Sequence, residues 1–405
     1  MKILQINAVN GIRSTGRICV EIAEYLNKNG QEGYIAYASG VPYEKGYRIG
    51  TKWERKLHAL FSRISGMQAY FSGKGTRKLL DYIEKIKPDV VHLHNLHSNY
   101  INLGILLAYL AENDIPIILT LHDCWFYTGR CFYYTMNNCF QWQKECIRCP
   151  NENRTNPTWF FDRCRRMYHD KKAWFKKIPR LAVVGVSDWV TNEARKSFLS
   201  SAKIITRIYN WIDLKIFKPV GTDELRRKLG LENHFVILGV ASIWSSAKGL
   251  DKFIELADSI PAHMRIVLVG SIKGHVRLHQ NIIHIQETHN VNELVQYYSM
   301  ADVFVNFSPE ETFGKVTAEA LACCTPAIVI NSTANPELIG KGCGYVVEAN
   351  DINAVFDAIS QVYRNGKEYY TGNCIAFAKE NFNMENRIKD YFRLYHEISG
   401  KGRNI

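Results

Sequence analysis

An α/β fold of two doubly wound, Rossmann-like halves is predicted for this chain by three observations. Its 405 residues, 46% of them apolar, exceed what one core usually organises. Short β-branched runs alternate with helix-length segments, the pattern of buried parallel strands with crossover helices. That rhythm stops at a proline- and glycine-punctuated hinge and then restarts.

In the first half the predicted strands are Lys2–Asn7, Tyr34–Ala38, Val90–His94, Ile117–His122 and Leu181–Ser187. The hinge is Phe217-Lys218-Pro219-Val220-Gly221-Thr222, with a helix opening near Asp223-Glu224. Beyond it come Phe235–Ser242, Arg265–Gly270, Ile282–Gln286, Val303–Ser308, Ala327–Asn331 and Tyr345–Glu348. The expected organisation is a first domain over 1–217 with a cysteine-rich insertion at about 124–180. A second follows over 218–380, and a C-terminal helix at 381–405 packs back toward the first. In open sheets of this kind ligands sit beyond the carboxyl ends of the strands, so two facing halves are expected to form a cleft.

The longest apolar stretch, Ile101 to Leu121, is interrupted by Glu112-Asn113-Asp114 and Pro116, which excludes it as a transmembrane span. The start turns polar at Asn7 and Asn10, too early for a secretory signal, so a cytoplasmic location is expected. In that reducing setting eleven cysteines call for core packing or metal ligation rather than disulfides. A net charge of +12 favours an anionic partner. Cations from Arg163 to Arg180 interleave with Trp174 and Phe175, as a solvated helix face or as a peripheral contact on the cytoplasmic face of an anionic membrane. No nucleic-acid motif accompanies the charge, so that class of partner is not expected.

Four clusters carry candidate chemistry. Gly11, Arg13, Gly16 and Arg17 lie in a strand–turn–helix junction that lacks G-x-G-x-x-G spacing but can present helix N–H groups to an anion. Thr120-Leu121-His122-Asp123 ends a strand, where His122 can donate to a sugar hydroxyl. His92, His94 and His97 read as packing and lining rather than metal ligands. Cys131, Cys139, Cys146 and Cys149, spaced C-x7-C-x6-C-x2-C, are the candidate ligands of a structural zinc; a thiol core and a redox pair are the alternatives.

The fourth cluster lies in the second half. Lys248-Gly249 precedes a helix, where a lysine opposes the helix dipole and fits a diphosphate clamp better than a structural role. Glu311 and Glu319 flank a turn into a helix through Phe313, Gly314 and Lys315. Were both glutamates helical, they would stand roughly 12 Å apart along the axis and about 80° apart around it, so they must serve different parts of one long ligand. A nucleotide sugar is such a ligand: Glu311 toward the glycosyl group, Glu319 on the ribose, and the backbone N–H groups near Phe313, Gly314 and Lys315 at the helix start between them.

Together these motifs resemble the GT-B glycosyltransferases, specifically glycosyltransferase family 4. The residues that carry the likeness are Gly16, Thr120-Leu121-His122-Asp123, Tyr209-Asn210-Trp211-Ile212-Asp213, Lys248-Gly249, Glu311-x7-Glu319, Thr325-Pro326 and Asn335-Pro336-Glu337. Ser14-Thr15-Gly16-Arg17 with the cysteine cluster is similar to enzymes of bacterial capsule, exopolysaccharide or O-antigen assembly. The resemblance implies hexosyl transfer from a UDP- or GDP-sugar to a glycan or an undecaprenyl-diphosphate-linked acceptor. It further implies retained anomeric configuration, no catalytic metal, and a departing diphosphate that helps to deprotonate the acceptor. It assigns Lys248 to the leaving group, with His122 and Glu311 on the donor sugar; Gly16, Arg17, Phe313, Gly314, Lys315 and Glu319 complete the donor contacts. Two positions depart from the pattern. Ile243 stands where the family usually has an arginine, and Cys324 where it usually has a glycine. An inactive binding or partner subunit, and a sugar-nucleotide epimerase, are the alternatives.

Overall fold

The computed structural model describes residues 1–150 and 157–401. Parts of the expected insertion (151–156) and of the C-terminal segment (402–405) lie outside the described residues. The chain divides into one compact unit from Met1 to Ile208 joined by the segment from Ile388, and a second from Tyr209 to Arg387. The sequence expectation set the boundary nine residues later, after Phe217.

The first unit holds seven parallel strands, β1 (Lys2–Asn10), β2 (Glu32–Gly40), β3 (Gly46–Arg48), β4 (Val90–Leu93), β5 (Ile117–Leu121), β6 (Leu181–Gly185) and β7 (Ile204–Arg207). Their order is β3-β2-β1-β4-β5-β6-β7. Its helices are α1 (Arg13–Lys28), α2 (Lys52–Ser65), α3 (Gly73–Ile86), α4 (Leu103–Glu112), α5 (Cys164–Lys176) and α6 (Asp188–Lys196). β4, β5 and β6 are buried at every residue, the signature of strands covered on both faces.

The second unit has β8 (Phe235–Trp244), β9 (Met264–Ile272), β10 (Ile282–Ile285), β11 (Val303–Asn306), β12 (Ala327–Ile330) and β13 (Gly344–Val347), all parallel, in the order β10-β9-β8-β11-β12-β13. Around them run α7 (Asp223–Leu229), α8 (Leu250–Ser259), α9 (Val291–Met300), α10 (Lys315–Ala322), α11 (Ile352–Asn365) and α12 (Glu368–Phe382). α13 (Met384–Ser399) then carries the chain back into the first unit, where Tyr391 and Tyr395 reach Thr120 and His92.

Both sheets follow the doubly wound order in which the chain reverses direction beside its first strand. The reversal falls between β1 and β4 in one unit and between β8 and β11 in the other. Loops that follow those strands are therefore where a ligand is expected. No helix among the described residues is long and apolar enough to cross a membrane.

Candidate functional site

The loops after β8 and β11 bring Lys248 and Glu311 into one ion pair, and Lys248 Nζ also donates to Ser308 Oγ at 3.3 Å. Gly249 makes this approach feasible. It sits at φ +73°, and a Cβ there would fall 2.2 Å from Phe307 Cβ, so any side chain would push the lysine turn away from β11. Ser308 is fixed in turn: its N–H donates to Asn306 Oδ1 at 2.9 Å, and Asn335 Nδ2 donates to its carbonyl at 2.8 Å. Asn306 also donates to Thr317 Oγ1 at 3.2 Å, tying the strand end to α10. Thr333 Oγ1 accepts from the Glu311 N–H at 3.0 Å. The Lys248 side chain keeps 40% exposure against 15% for Glu311, so the cation is the more available of the pair.

Gly314, at φ +84°, turns the chain into α10, and no side chain caps that helix start. Its first N–H groups are thus open to an anion beside Lys315, which is half-buried. Phe313 behaves differently. Its ring is buried against Tyr209 and Phe382, with centroids 5.9 and 5.4 Å away, so only its backbone is placed for a ligand. Glu319, a turn into α10, is buried and accepts from Tyr298 OH at 2.9 Å. The two glutamates consequently occupy separate environments, Glu311 in the loop and Glu319 on the helix.

At the matching point of the first unit the chemistry is histidine-based. His122 follows β5, and its Nε2 meets His94 Nδ1 at 3.0 Å; His94 Nε2 meets Gln5 Oε1 at 3.2 Å. His92 lies between Tyr395 OH and Thr120 Oγ1, each 2.7 Å away. Burial pulls His92 and His94 well below the ordinary histidine range. His122 is lowered to about 4, chiefly by burial, with Asp123 opposing and His97 assisting. These rings are neutral at physiological pH. His97 pairs with Asp123 at 2.9 Å; burial raises that carboxyl, but His97 and the Trp125 N–H outweigh it and leave it below its usual value. Close by, a cavity of about 120 Å³ is lined by polar Ser62, Arg63, Gln68, Asn99 and Arg130 and by apolar Ala59, Gly66, Pro157 and Met167. Gln68 donates from Nε2 to the His97 carbonyl, which links this cavity to the histidine cluster.

Other expected residues are placed differently. Gly16 lies inside the first turn of α1, where an added Cβ would stand 3.1 Å from both Gly11 N and Val9 O, so it lets the helix approach the strand closely. Arg13 and Arg17 are exposed on that turn, and the helix start has no side-chain cap. Cys131, Cys149 and Cys164 pack together with Cys146 against them, Cys131 and Cys149 Sγ being 3.4 Å apart, whereas Cys139 is outside this packed group. Burial pushes the Cys146 thiol up to about 12. Among the described residues no group of three His, Cys, Asp or Glu side chains is arranged to hold a metal ion. In α5, Phe175 is buried and Trp174 packs on Tyr70 with centroids 5.5 Å apart, which removes the exposed aromatics from the basic stretch. Cys324 adopts φ +67°, so the turn after α10 keeps the backbone that a glycine would favour.

Asn306, Ser308 and Thr333 frame the site yet carry no motif. The signal that could have found Asn306 is a lone amide closing an otherwise apolar strand, Val303-Phe304-Val305-Asn306.

Two doubly wound sheets, each with polar groups gathered at its point of reversal, define the GT-B class of fold. The family model described as Glycosyltransferase Family 4 matches residues 15–216, and the one described as Glycosyl transferases group 1 matches residues 221–378. The chain belongs to glycosyltransferase family 4. It is similar to WcaC of Escherichia coli K12, whose name attaches it provisionally to colanic acid biosynthesis as a glycosyl transferase, with 24% identity over 65% of each chain. It is also similar to the N-acetyl-alpha-D-glucosaminyl L-malate synthase of Bacillus anthracis, with 24% identity over 55% of this chain and 61% of that one. The chain thus spans less than two thirds of the length of these curated relatives. Among solved structures, sucrose-phosphate synthase from Thermosynechococcus elongatus superposes with TM-score 0.72 at 17% identity, covering 99% of this chain and 100% of that one. HepE of Anabaena in complex with UDP-glucose gives 0.66 at 15%, covering 98% and 100%.

Proposed function

We propose that this protein is a retaining glycosyltransferase that moves a hexosyl group from a UDP- or GDP-sugar to a glycan or lipid-linked acceptor in cell-surface polysaccharide synthesis, without a catalytic metal. The observation that carries this reading is the convergence of Lys248, Ser308, Glu311 and the uncapped start of α10 at the switch point of the second sheet. A diphosphate is the ligand that this set suits: it takes hydrogen bonds from the Lys315 end of the helix and displaces the Glu311 carboxylate as partner of Lys248. As the glycosidic bond breaks, negative charge gathers on the leaving diphosphate. A lysine already in place stabilises that charge without reorganisation. Glu311, released from Lys248, is then free to hold the hydroxyls of the sugar, and Glu319 those of the ribose. The neutral His122 serves as a hydrogen-bonding contact for sugar rather than as a cation. The likeness to a UDP-glucose-bound GT-B structure supports a nucleotide-sugar donor. The cavity beside Gln68, lined by polar and apolar groups alike, supports an acceptor contact in the first unit.

Ile243, 46% exposed where the family usually carries a second cation, favours a less tightly held donor. The test is transfer from isotope-labelled α-linked donors to a lipid-linked oligosaccharide, with the product anomer read by NMR. An α-linked product is expected. A β-linked product would exclude retention, and conversion of the donor in the absence of any acceptor would point instead to an epimerase.

A further inference from the structure

Helix α2 carries an apolar stripe that the described residues leave uncovered. Trp53, Leu57, Leu60 and Phe61, at i, i+4, i+7 and i+8, are 72, 51, 41 and 46% exposed. The opposite face is firmly attached: Glu54 accepts from the Gly75 N–H at 2.8 Å, and the buried His58 bonds Ser72 Oγ at 2.8 Å. The helix is therefore held by one side and presents the other.

A second segment extends the same surface. Thr158 Oγ1 and the Trp159 N–H both donate to the Arg63 carbonyl, at 3.2 and 2.7 Å, so Trp159-Phe160-Phe161 is anchored at the C-terminal end of α2. These three aromatics are 53, 68 and 48% exposed. Around them Lys52, Lys56, Arg63 and Arg163 are exposed; Lys56 lies 4.8 Å above the Trp53 ring and Arg163 5.1 Å above that of Phe161. The acids of the two segments turn inward. Glu54 is held by Gly75, and Asp162 accepts from the Cys149 and Cys164 N–H groups. What remains outside is aromatic, aliphatic and cationic.

We propose that α2 and Trp159–Phe161 form a docking surface for an anionic lipid bilayer. Aromatic and aliphatic side chains enter the boundary between headgroups and acyl chains, while Lys52, Lys56, Arg63 and Arg163 meet lipid phosphates. Charge complementarity selects this occupant: among the described residues of the two segments no carboxylate faces outward, and four cations around seven apolar side chains match a negative interface. The surface is not the basic stretch of α5, whose aromatics are packed inward. It also deepens the acceptor reading, because Ala59, Ser62 and Arg63 of the same helix line the cavity beside Gln68, so a lipid-linked acceptor would meet the protein where it touches the membrane. Membrane binding itself is measured without donor or acceptor, and its failure would leave the donor-site reading intact.

The test is flotation of the full chain with vesicles of phosphatidylcholine alone or mixed with phosphatidylglycerol. Binding is expected only to the mixed vesicles. Leu57→Asp with Phe160→Asp should abolish it with an unchanged melting curve, since both residues are exposed. Lys56→Gln should weaken it by about fivefold. Lys172→Gln with Lys176→Gln on α5 should leave it within about twofold. Equal binding by parent and the Leu57/Phe160 variant would overturn the proposal, as would no binding to mixed vesicles. Light scattering that shows a dimer split by the same double variant would also overturn it, because a second copy would then cover the face.

Discussion

The two switch points share a topology and differ in electrostatics. In the second unit a lysine and a carboxylate face each other in a half-exposed loop, both charged and both exchangeable for a ligand. In the first unit the same position holds His92, His94 and His122, stripped of charge by burial; His94 bonds His122 and Gln5, and His92 bonds Thr120 and Tyr395 of α13. Fold alone does not assign chemistry; the residues beyond the strand ends do. A charged pair suits an anionic donor, and a neutral imidazole cluster suits hydroxyls.

The contrast is sharpest at Lys248. If its charge stabilises the leaving group, Lys248→Ala should lower kcat by about 10²–10³-fold with little change in melting temperature, as for other preorganised electrostatic groups. A loss confined to KM would recast the lysine as a binding group only. Steady-state kinetics distinguish the two.

The histidine side of the comparison is read by pH. An unfolded chain protonates these rings near 6.5, whereas the native His122 and His58 do so at about 4, and burial holds His92 and His94 well below 6.5. Stability should be full above 6.5 and fall as the pH drops toward 4, because the unfolded state binds protons that the native state refuses. A melting temperature flat from pH 7 to 4.5 would mean that the cluster titrates normally.

Smaller effects separate the two glutamates. Glu319→Gln should raise the donor KM roughly tenfold with kcat nearly kept, since it weakens charge-assisted hydrogen bonds to one part of the donor. Tyr298→Phe, which removes the bond to Glu319 at 2.9 Å, should shift KM in the same direction and by less. At the low end, Cys324→Gly should stabilise the protein by about 1 kcal/mol by relieving a side chain held in the left-handed region. Thermal denaturation reads this directly, and no gain would mean that packing of the buried thiol offsets the strain.

Most of the fold was legible because buried parallel strands are continuous apolar runs. All six expected strands of the second half are present, with ends moved by at most two residues. β3 and β7 escaped notice. β3 has three residues, and β7, Ile204–Arg207, is a half-buried edge strand without a fully apolar run. In the site, Lys248 and Glu311 were legible as chemical types at strand ends, while their frame of Asn306, Ser308 and Thr333 depends on pairings that sequence spacing does not encode. The cysteines show the opposite failure. Spacing grouped Cys139 with Cys131, Cys146 and Cys149, but the packed group includes Cys164, brought there from the start of α5. Likewise, alternating cations and aromatics in α5 looked interfacial until the helix turned Phe175 inward.

The most direct test of the charged site is a thermal-shift series with UDP-, GDP-, ADP- and TDP-sugars on the parent, Lys248→Ala and Glu319→Ala. We expect at least one nucleotide sugar to raise the melting temperature of the parent, and both variants to lose most of that rise. Equal rises in all three proteins would contradict a donor site built on Lys248 and α10.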